Sequence, residues 1–231
     1  MRIVTWNCNG AFRRKLERVD ALQADVLVIQ ECEDPLIHGG SYRDWAGSYA
    51  WLGENKHKGI GVFARNNRNL ELLDWTSKGH ELFLPTRVDG LIDVVGVWTQ
   101  ESKSRERSYV RQFWHYLQLH EKSLGEDSII CGDFNSNAIW DRPNLPGNHT
   151  DCINLLKERG FVSLYHMIKG ERHGEEETPT FYLYRHEERP YHIDYVFAHN
   201  EKIQKSHVGF EVGQPQDWLP FSDHMPIIVD I

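Results

Sequence analysis

Seven polar positions fall where the chain changes character, and their side chains are of the types that hold cations and move protons. Asn7, Glu31, Asp133 with Asn135, Asp194, and the pair Asp223-His224 occupy five separated segments. Short-armed carboxylate and amide oxygens suit a hard divalent cation, and a His beside acids suits proton donation or charge stabilisation. Taken singly, each has a plainer reading. Asn7 can brace a turn, Glu31 can be a surface acid, Asp133-x-Asn135 can be an Asx-turn, and His224 can cap or pack. The common feature is position: these residues end, follow, lie near the start of or precede runs that read as strands, which is how a sheet assembles a site from residues distant in sequence.

The elements that must carry them follow from periodicity. Ile3 to Cys8 is a short β-prone run closed by Asn9-Gly10. Phe12, Leu16, Val19 and Leu22 then recur at helical spacing among basic residues, predicting an amphipathic helix. Ala24 to Ile29 reads as a buried strand stopping at Gln30-Glu31. Ala50 to Leu52, Ile60 to Ala64, Leu70 to Trp75, Leu82 to Leu84 and Ile92 to Trp98 form meander-like antiparallel material. A second amphipathic helix is expected from about Arg107 to Leu124, and the strand Ser128 to Cys131 runs straight into Gly132-Asp133. A third helix should start at Thr150 or Asp151 and stop before Gly160. Thr180 to Tyr184, Tyr191 to Ala198, Val208 to Val212 and Met225 to Ile231 read as closing strands. Two sheets packed face to face with helices outside accommodate this order, as one domain over residues 1–231 without a Pro/Gly/Ser-rich linker.

Composition narrows the function classes. The 231 residues are 40% hydrophobic and 26% charged, which excludes a disordered or fibrous chain. A net charge of −8 argues against a duplex-binding module that works by a basic footprint, yet suits an enzyme that meets phosphate through bound cations. The N-terminus lacks a secretory pattern and no apolar run is long enough for a membrane span, so a soluble cytoplasmic chain is expected. Cys8, Cys32, Cys131 and Cys152 lack the spacing of a disulfide framework and read as reduced. The 13 histidines are scattered, with no spacing that points to structural zinc.

Together, Trp6-Asn7-Cys8-Asn9-Gly10, Gln30-Glu31, Gly132-Asp133-Phe134-Asn135, His192-Ile193-Asp194-Tyr195 and Ser222-Asp223-His224-Met225-Pro226 resemble the ordered motif set of the endonuclease/exonuclease/phosphatase superfamily, the deoxyribonuclease I-like fold. The resemblance spans nearly the whole chain. It implies a four-layered α/β/β/α sandwich of two mixed sheets with the site at one edge. It assigns Glu31, with Asn7 beside it, to a Mg²⁺ or Mn²⁺ ion, and Asp223 to the metal or water shell. Asp133 would orient or deprotonate the attacking water, Asn135 would hold water and phosphate in line, and His224, oriented by Asp194, would donate to the phosphate. The implied activity is metal-dependent phosphodiester hydrolysis, most readily in DNA or RNA; a monomer is favoured, with the oligomeric state left open. A phospholipid, phosphoinositide or small phosphoester substrate, or an inactive interaction domain, are the alternatives.

This chain departs from the family pattern in two places. Where many relatives place a phosphate-contacting His or Tyr, it has Trp98 or Gln100. The Lys that follows Gln-Glu in the abasic-site endonuclease branch is replaced by Cys32-Glu33-Asp34. Trp98, Trp140, Phe181 and Tyr182 are candidates for a base-stacking platform, with core packing as the plainer role. Leu82 to Pro85 and Trp218 to Phe221 are the candidate apolar loops for a lipid surface.

Overall fold

The computed structural model describes residues 1–75, 82–102, 109–142 and 144–231. Its strands in chain order are β1 (Arg2–Asn7), β2 (Val26–Cys32), β3 (Ser48–Asn55), β4 (Lys58–Ala64), β5 (Leu70–Leu72), β6 (Phe83–Val88), β7 (Ile92–Trp98), β8 (Ser128–Asp133), β9 (Phe161–Ser163), β10 (Phe181–Tyr182), β11 (Pro190–Tyr191), β12 (Asp194–His199), β13 (Gly209–Val212) and β14 (Ile227–Asp230). The helices are α1 (Leu16–Asp20), α2 (Pro35–His38), α3 (Gly40–Ala46), α4 (Val110–Leu119), α5 (His149–Glu158), α6 (Leu164–Lys169), α7 (Asn200–Gln204) and α8 (Pro215–Trp218). Two six-stranded mixed sheets form, in the orders β13-β14-β1-β2-β4-β3 and β5-β6-β7-β8-β12-β9, with β10 and β11 as a separate hairpin. β1 and β2 pair in parallel, as do β7 and β8, and the other pairings are antiparallel. Among the described residues, no helix is long and apolar enough to cross a membrane.

Strand alternation divides the apolar side chains between layers. In the second sheet Val94, Trp98, Ile129, Cys131, Val196 and Ala198 join the core shared with the first sheet, while Val95, Val97, Ile130, Tyr195 and Phe197 pack under Phe113 and Leu117 of α4 and Leu156 of α5. The sheets approach closely at Gly96, where a Cβ would stand 3.0 Å from both Ile60 Cδ1 and Val28 Cγ1. The first sheet's outer face is covered by aromatic contacts: Trp6 meets Trp218 of α8 at 5.0 Å and Phe12 meets Phe63 at 5.8 Å. The result is helices, sheet, sheet, helices, as expected for the deoxyribonuclease I-like fold.

Several element boundaries differ from the sequence reading for identifiable reasons. The helix expected through Phe12 to Leu22 breaks at Lys15, whose ammonium turns inward onto the carbonyls of Gly10 and Phe221. The second helix is α4, and residues 107–108 of its expected start lie outside the described residues. α5 starts at His149, one residue ahead of the expected caps, because Asn148 and Asp151 form a capping box. The expected strand Tyr191 to Ala198 divides after Tyr191, since Pro190–Tyr191 pairs with Phe181–Tyr182.

Candidate active site

The alternation that buries Cys131 and Val196 between the sheets also points Asp133 and Asp194 inward at the ends of β8 and β12, where they are register partners. Gly132 makes this ending possible. Its φ is +149°, and a Cβ there would lie 1.9 Å from the Val97 carbonyl oxygen, so only glycine lets β8 approach β7 immediately before Asp133. Across the gap, Asn7 ends β1 beside Gln30 of β2. Glu31 sits in a bulge against β4 with φ of +64°, so its carboxylate escapes the strand's alternation.

These ends converge on one centre. The Asn7 amide donates to Asp133 Oδ2 at 2.9 Å and, more weakly, to Glu31 Oε1 at 3.4 Å, while its Oδ1 accepts the Asn9 backbone N–H at 3.0 Å. Asn135, in the left-handed region, donates its backbone N–H to Asp133 Oδ1 at 2.9 Å and its amide to Asp133 Oδ2 at 3.0 Å. His224 Nδ1 lies 3.1 and 3.0 Å from the two Asp194 oxygens, and its Nε2 lies 3.9 Å from Asp133 Oδ2. Asp223 accepts from Asn9 Nδ2 at 2.8 Å. Asn7, Glu31, Asp133, Asn135, Asp194, Asp223 and His224 are thus gathered at one edge of the paired sheets.

Burial sets the electrostatics. Asp133 is 0% exposed, and desolvation pushes its carboxyl up to about 7; Asp194 adds to the rise, and His224 and the Asn7 hydrogen bond oppose it. Burial alone would lower His224, but Asp194 and Asp133 outweigh it and raise the imidazole to about 10. A His224 held toward its charged form and an Asp133 carboxyl raised toward 7 therefore face each other with both side chains buried.

The donors fit a hard divalent cation. Glu31, Asp133 and Asp223 offer carboxylate oxygens with no sulfur among them, and Glu31 Oε2 already attracts the Lys58 ammonium at 2.9 Å. Asn7 presents its amide NH₂ to the two acids and so holds both carboxylates in place.

Sequence reasoning missed four contributors. Thr180 Oγ1 accepts the backbone N–H groups of both Ile193 and Asp194 at 3.0 Å, fixing the start of β12. Asn9 ties Asp223 to the centre, Lys58 neutralises Glu31, and Tyr191 extends a row of rings. That row runs from His224 to Phe181 at 4.6 Å, on to Tyr191 at 6.3 Å and to Trp140 at 5.3 Å. Asn9 lay inside a quoted motif. The other three act through tertiary contacts that leave no local signal.

The candidate substrate contacts separate. Trp98 is a correction: it is 3% exposed, belongs to the inter-sheet core, and has the Lys58 ammonium 5.7 Å over its ring, so no face remains for a base. Tyr182 is likewise buried. Trp140 is 49% exposed and lines a groove of about 620 Å³ together with Asn135, Tyr109, Arg111 and Arg142. Gln100 is half-buried at the end of the second sheet, where its carbonyl accepts from Tyr109 N. Of the two loops considered for lipid, Leu82 to Pro85 is buried throughout, while in Trp218 to Phe221 only Trp218 is buried, Leu219 and Phe221 are half-buried against the core and Pro220 is exposed.

Comparison with known proteins agrees with this geometry. The sequence pattern of the endonuclease/exonuclease/phosphatase family matches residues 4–224. No curated protein matches the chain. Among solved structures, an AP endonuclease from Archaeoglobus fulgidus superposes with a TM-score of 0.69 at 20% identity, covering 100% of this chain and 99% of that one. A 3'-5' exonuclease from Neisseria meningitidis gives 0.68 at 18% identity, with 100% and 99% covered. D. rerio TDP2 complexed with a single-strand DNA product gives 0.63 at 16% identity, with 99% and 97% covered. With the family pattern matched over nearly its whole length, the chain belongs to the endonuclease/exonuclease/phosphatase family, whose members are hydrolases acting on phosphoester bonds.

Proposed function

We propose that this chain is a divalent-metal-dependent nuclease that hydrolyses a nucleic-acid phosphodiester by in-line attack of water. The observation that carries the reading is the buried facing of Asp133 and His224, 3.9 Å apart, each held by a dedicated partner. Asp133, poised near neutrality, takes a proton from the attacking water. Asn135 and Asn7 hold that carboxylate in place through their amides. His224, kept charged by Asp194, donates from Nε2 to the phosphate as negative charge builds. Glu31, with Asp223 nearby, would hold Mg²⁺ or Mn²⁺, which when bound neutralises a non-bridging oxygen and the leaving alkoxide.

Nucleic acid is favoured by the groove beyond Asn135, where the Trp140 face and the Arg111 and Arg142 side chains border the path away from the centre. The row of rings from Trp140 to Phe181 gives flat surfaces against which a base or sugar can lie. The AP endonuclease and exonuclease that share the fold, and the DNA product held by TDP2, agree with this choice.

The test is cleavage of single- and double-stranded DNA, RNA, an abasic duplex and bis(p-nitrophenyl) phosphate with Mg²⁺, Mn²⁺ or EDTA. Asp133→Asn and His224→Ala should each reduce metal-dependent turnover at least ~100-fold while leaving the circular-dichroism spectrum unchanged. Turnover near the parent level in either variant would sink the assignment, and cleavage of the small diester alone would move the substrate away from nucleic acid.

A further inference from the structure

On the far side of the β8 and β12 ends from the carboxylate centre, four histidines from separate parts of the chain meet a glutamate. His149 opens α5, His166 lies in α6, His173 and Glu176 come from the loop after α6, and His192 precedes β12. We propose that His149, His166, His173 and Glu176 form a site for one borderline transition-metal ion of the zinc type, separate from the Glu31 centre, that fastens this loop to the strand ends carrying Asp133 and Asp194.

Distances support coordination. His166 Nε2 lies 3.1 Å from Glu176 Oε1, His173 Nδ1 lies 4.0 Å from the same oxygen, and His149 Nε2 lies 3.0 Å from His173 Nδ1. Ligand atoms on a tetrahedron with metal bonds of about 2.1 Å stand about 3.4 Å apart; the three separations lie around that edge, and His149 adjoins the other three donors through His173. Donor atoms of His166, His173 and Glu176 all fall within 4.8 Å of one another. The rings of His166 and His173 stack at 3.5 Å, so coordination requires the His173 ring to turn within its loop, next to Gly174.

The remaining polar atoms are arranged as metal sites arrange them. An imidazole ligand uses one nitrogen for the metal and the other for an orienting hydrogen bond. His149 Nδ1 lies 3.1 Å from Ser136 Oγ, and His166 Nδ1 lies 2.8 Å from Ser163 Oγ. The second Glu176 oxygen accepts from Asn137 Nδ2 at 3.0 Å and from Gly174 N at 2.9 Å.

Charge supplies the independent demand. The Glu176 side chain is 3% exposed, yet its ion-pair partners among the described residues are only His166 and His173. Contacts with His166, Asn137 and Gly174 hold its charged form, and a divalent ion would supply the permanent countercharge that they lack. Nearby, His192 Nε2 is buried without a hydrogen-bond partner, another sign that these polar groups do not close on themselves. The donor set of imidazoles and one carboxylate selects zinc-type ions over Mg²⁺, which favours oxygen-only shells.

The site would act by positioning. Glu176 holds Asn137, two residues beyond Asn135, and the same loop continues to Thr180, whose hydroxyl fixes the Asp194 backbone. The inference does not depend on which phosphoester the carboxylate centre cleaves.

The experiment loads metal-stripped chain with Zn²⁺ in excess Mg²⁺, removes unbound ions by gel filtration and measures retained zinc by mass spectrometry. One zinc per chain is expected in the parent and in Glu31→Gln, and loss of it in Glu176→Gln and His166→Ala. Because those variants could unfold, Co²⁺ is also added to the parent itself, where the intense visible bands of tetrahedral cobalt should appear without sulfur charge-transfer absorption. Absence of retained zinc in the parent, its loss in Glu31→Gln, its retention in the cluster variants, or a thiolate signature pointing to the cysteines would each overturn the proposal.

Discussion

Asp133 and His224 do opposite jobs because the same burial acts on opposite charges. Desolvation favours the neutral form of each, raising the acid and lowering the imidazole; only His224 has two carboxylates close enough to reverse the sign. In metal-free protein, a histidine-selective NMR titration should therefore show His224 still charged well above 6.5 and losing its proton near 10. Since its folded value exceeds the unfolded one, the stabilisation it contributes is complete below about 6.5 and disappears as pH rises through about 10. Asp194→Asn removes the foremost raising partner and should bring the titration down by several units; an unchanged midpoint would mean that Asp194 does not hold His224 charged. At this scale the sequence was informative where chemistry depends on residue type at a strand end, as for Asn7, Glu31, Asp133 and His224. It was silent on Thr180 and Lys58, because a hydroxyl accepting two amides and an ammonium on a bulged glutamate are created only when distant segments meet.

Strand endings convert sequence order into site geometry. Gly132 illustrates this most directly, with its +149° φ and the Val97 carbonyl occupying the space of a side chain. Gly132→Ala should lower stability by at least about 2 kcal/mol, read as a smaller urea midpoint, since backbone rather than a flexible side chain blocks the new methyl. Its turnover should fall as well, because β8 must separate from β7 at the residue preceding Asp133; a variant with parent stability would show that the close approach is not needed. The glycine was visible in the sequence as the start of Gly132-Asp133, but its role was not, because a forbidden contact with a neighbouring strand has no signature in β8 alone. The amphipathic pattern of Phe12 to Leu22 was read correctly as inward-facing and incorrectly as one helix. Lys15, counted as surface by its charge, instead binds loop carbonyls and breaks the run. The histidine cluster was equally hidden: His149, His166 and His173 have no ligand spacing along the chain and become neighbours only through the packing of α5, α6 and their following loop.

At the scale of the whole molecule, a net charge of −8 means that the chain's overall field does not draw in a polyanion. Affinity for a nucleic acid must come from a local surface, and a groove with Trp140, Arg111 and Arg142 leads from Asn135. A short path with few cations neutralises few phosphates, so log KM for a polymer should vary shallowly with log salt, with a slope of about 2 or less, because each phosphate contact contributes about 0.9. Stacking then carries much of the remaining binding. Removing one aromatic platform costs about 1–3 kcal/mol per base, so Trp140→Ala should reduce kcat/KM for a single strand by roughly 10-fold or more. The reduction for bis(p-nitrophenyl) phosphate, which reaches the carboxylates without traversing the groove, should be several-fold smaller. Comparing the two ratios separates a platform from a merely structural tryptophan: equal losses on both substrates would place the effect in the fold and take the groove out of substrate recognition.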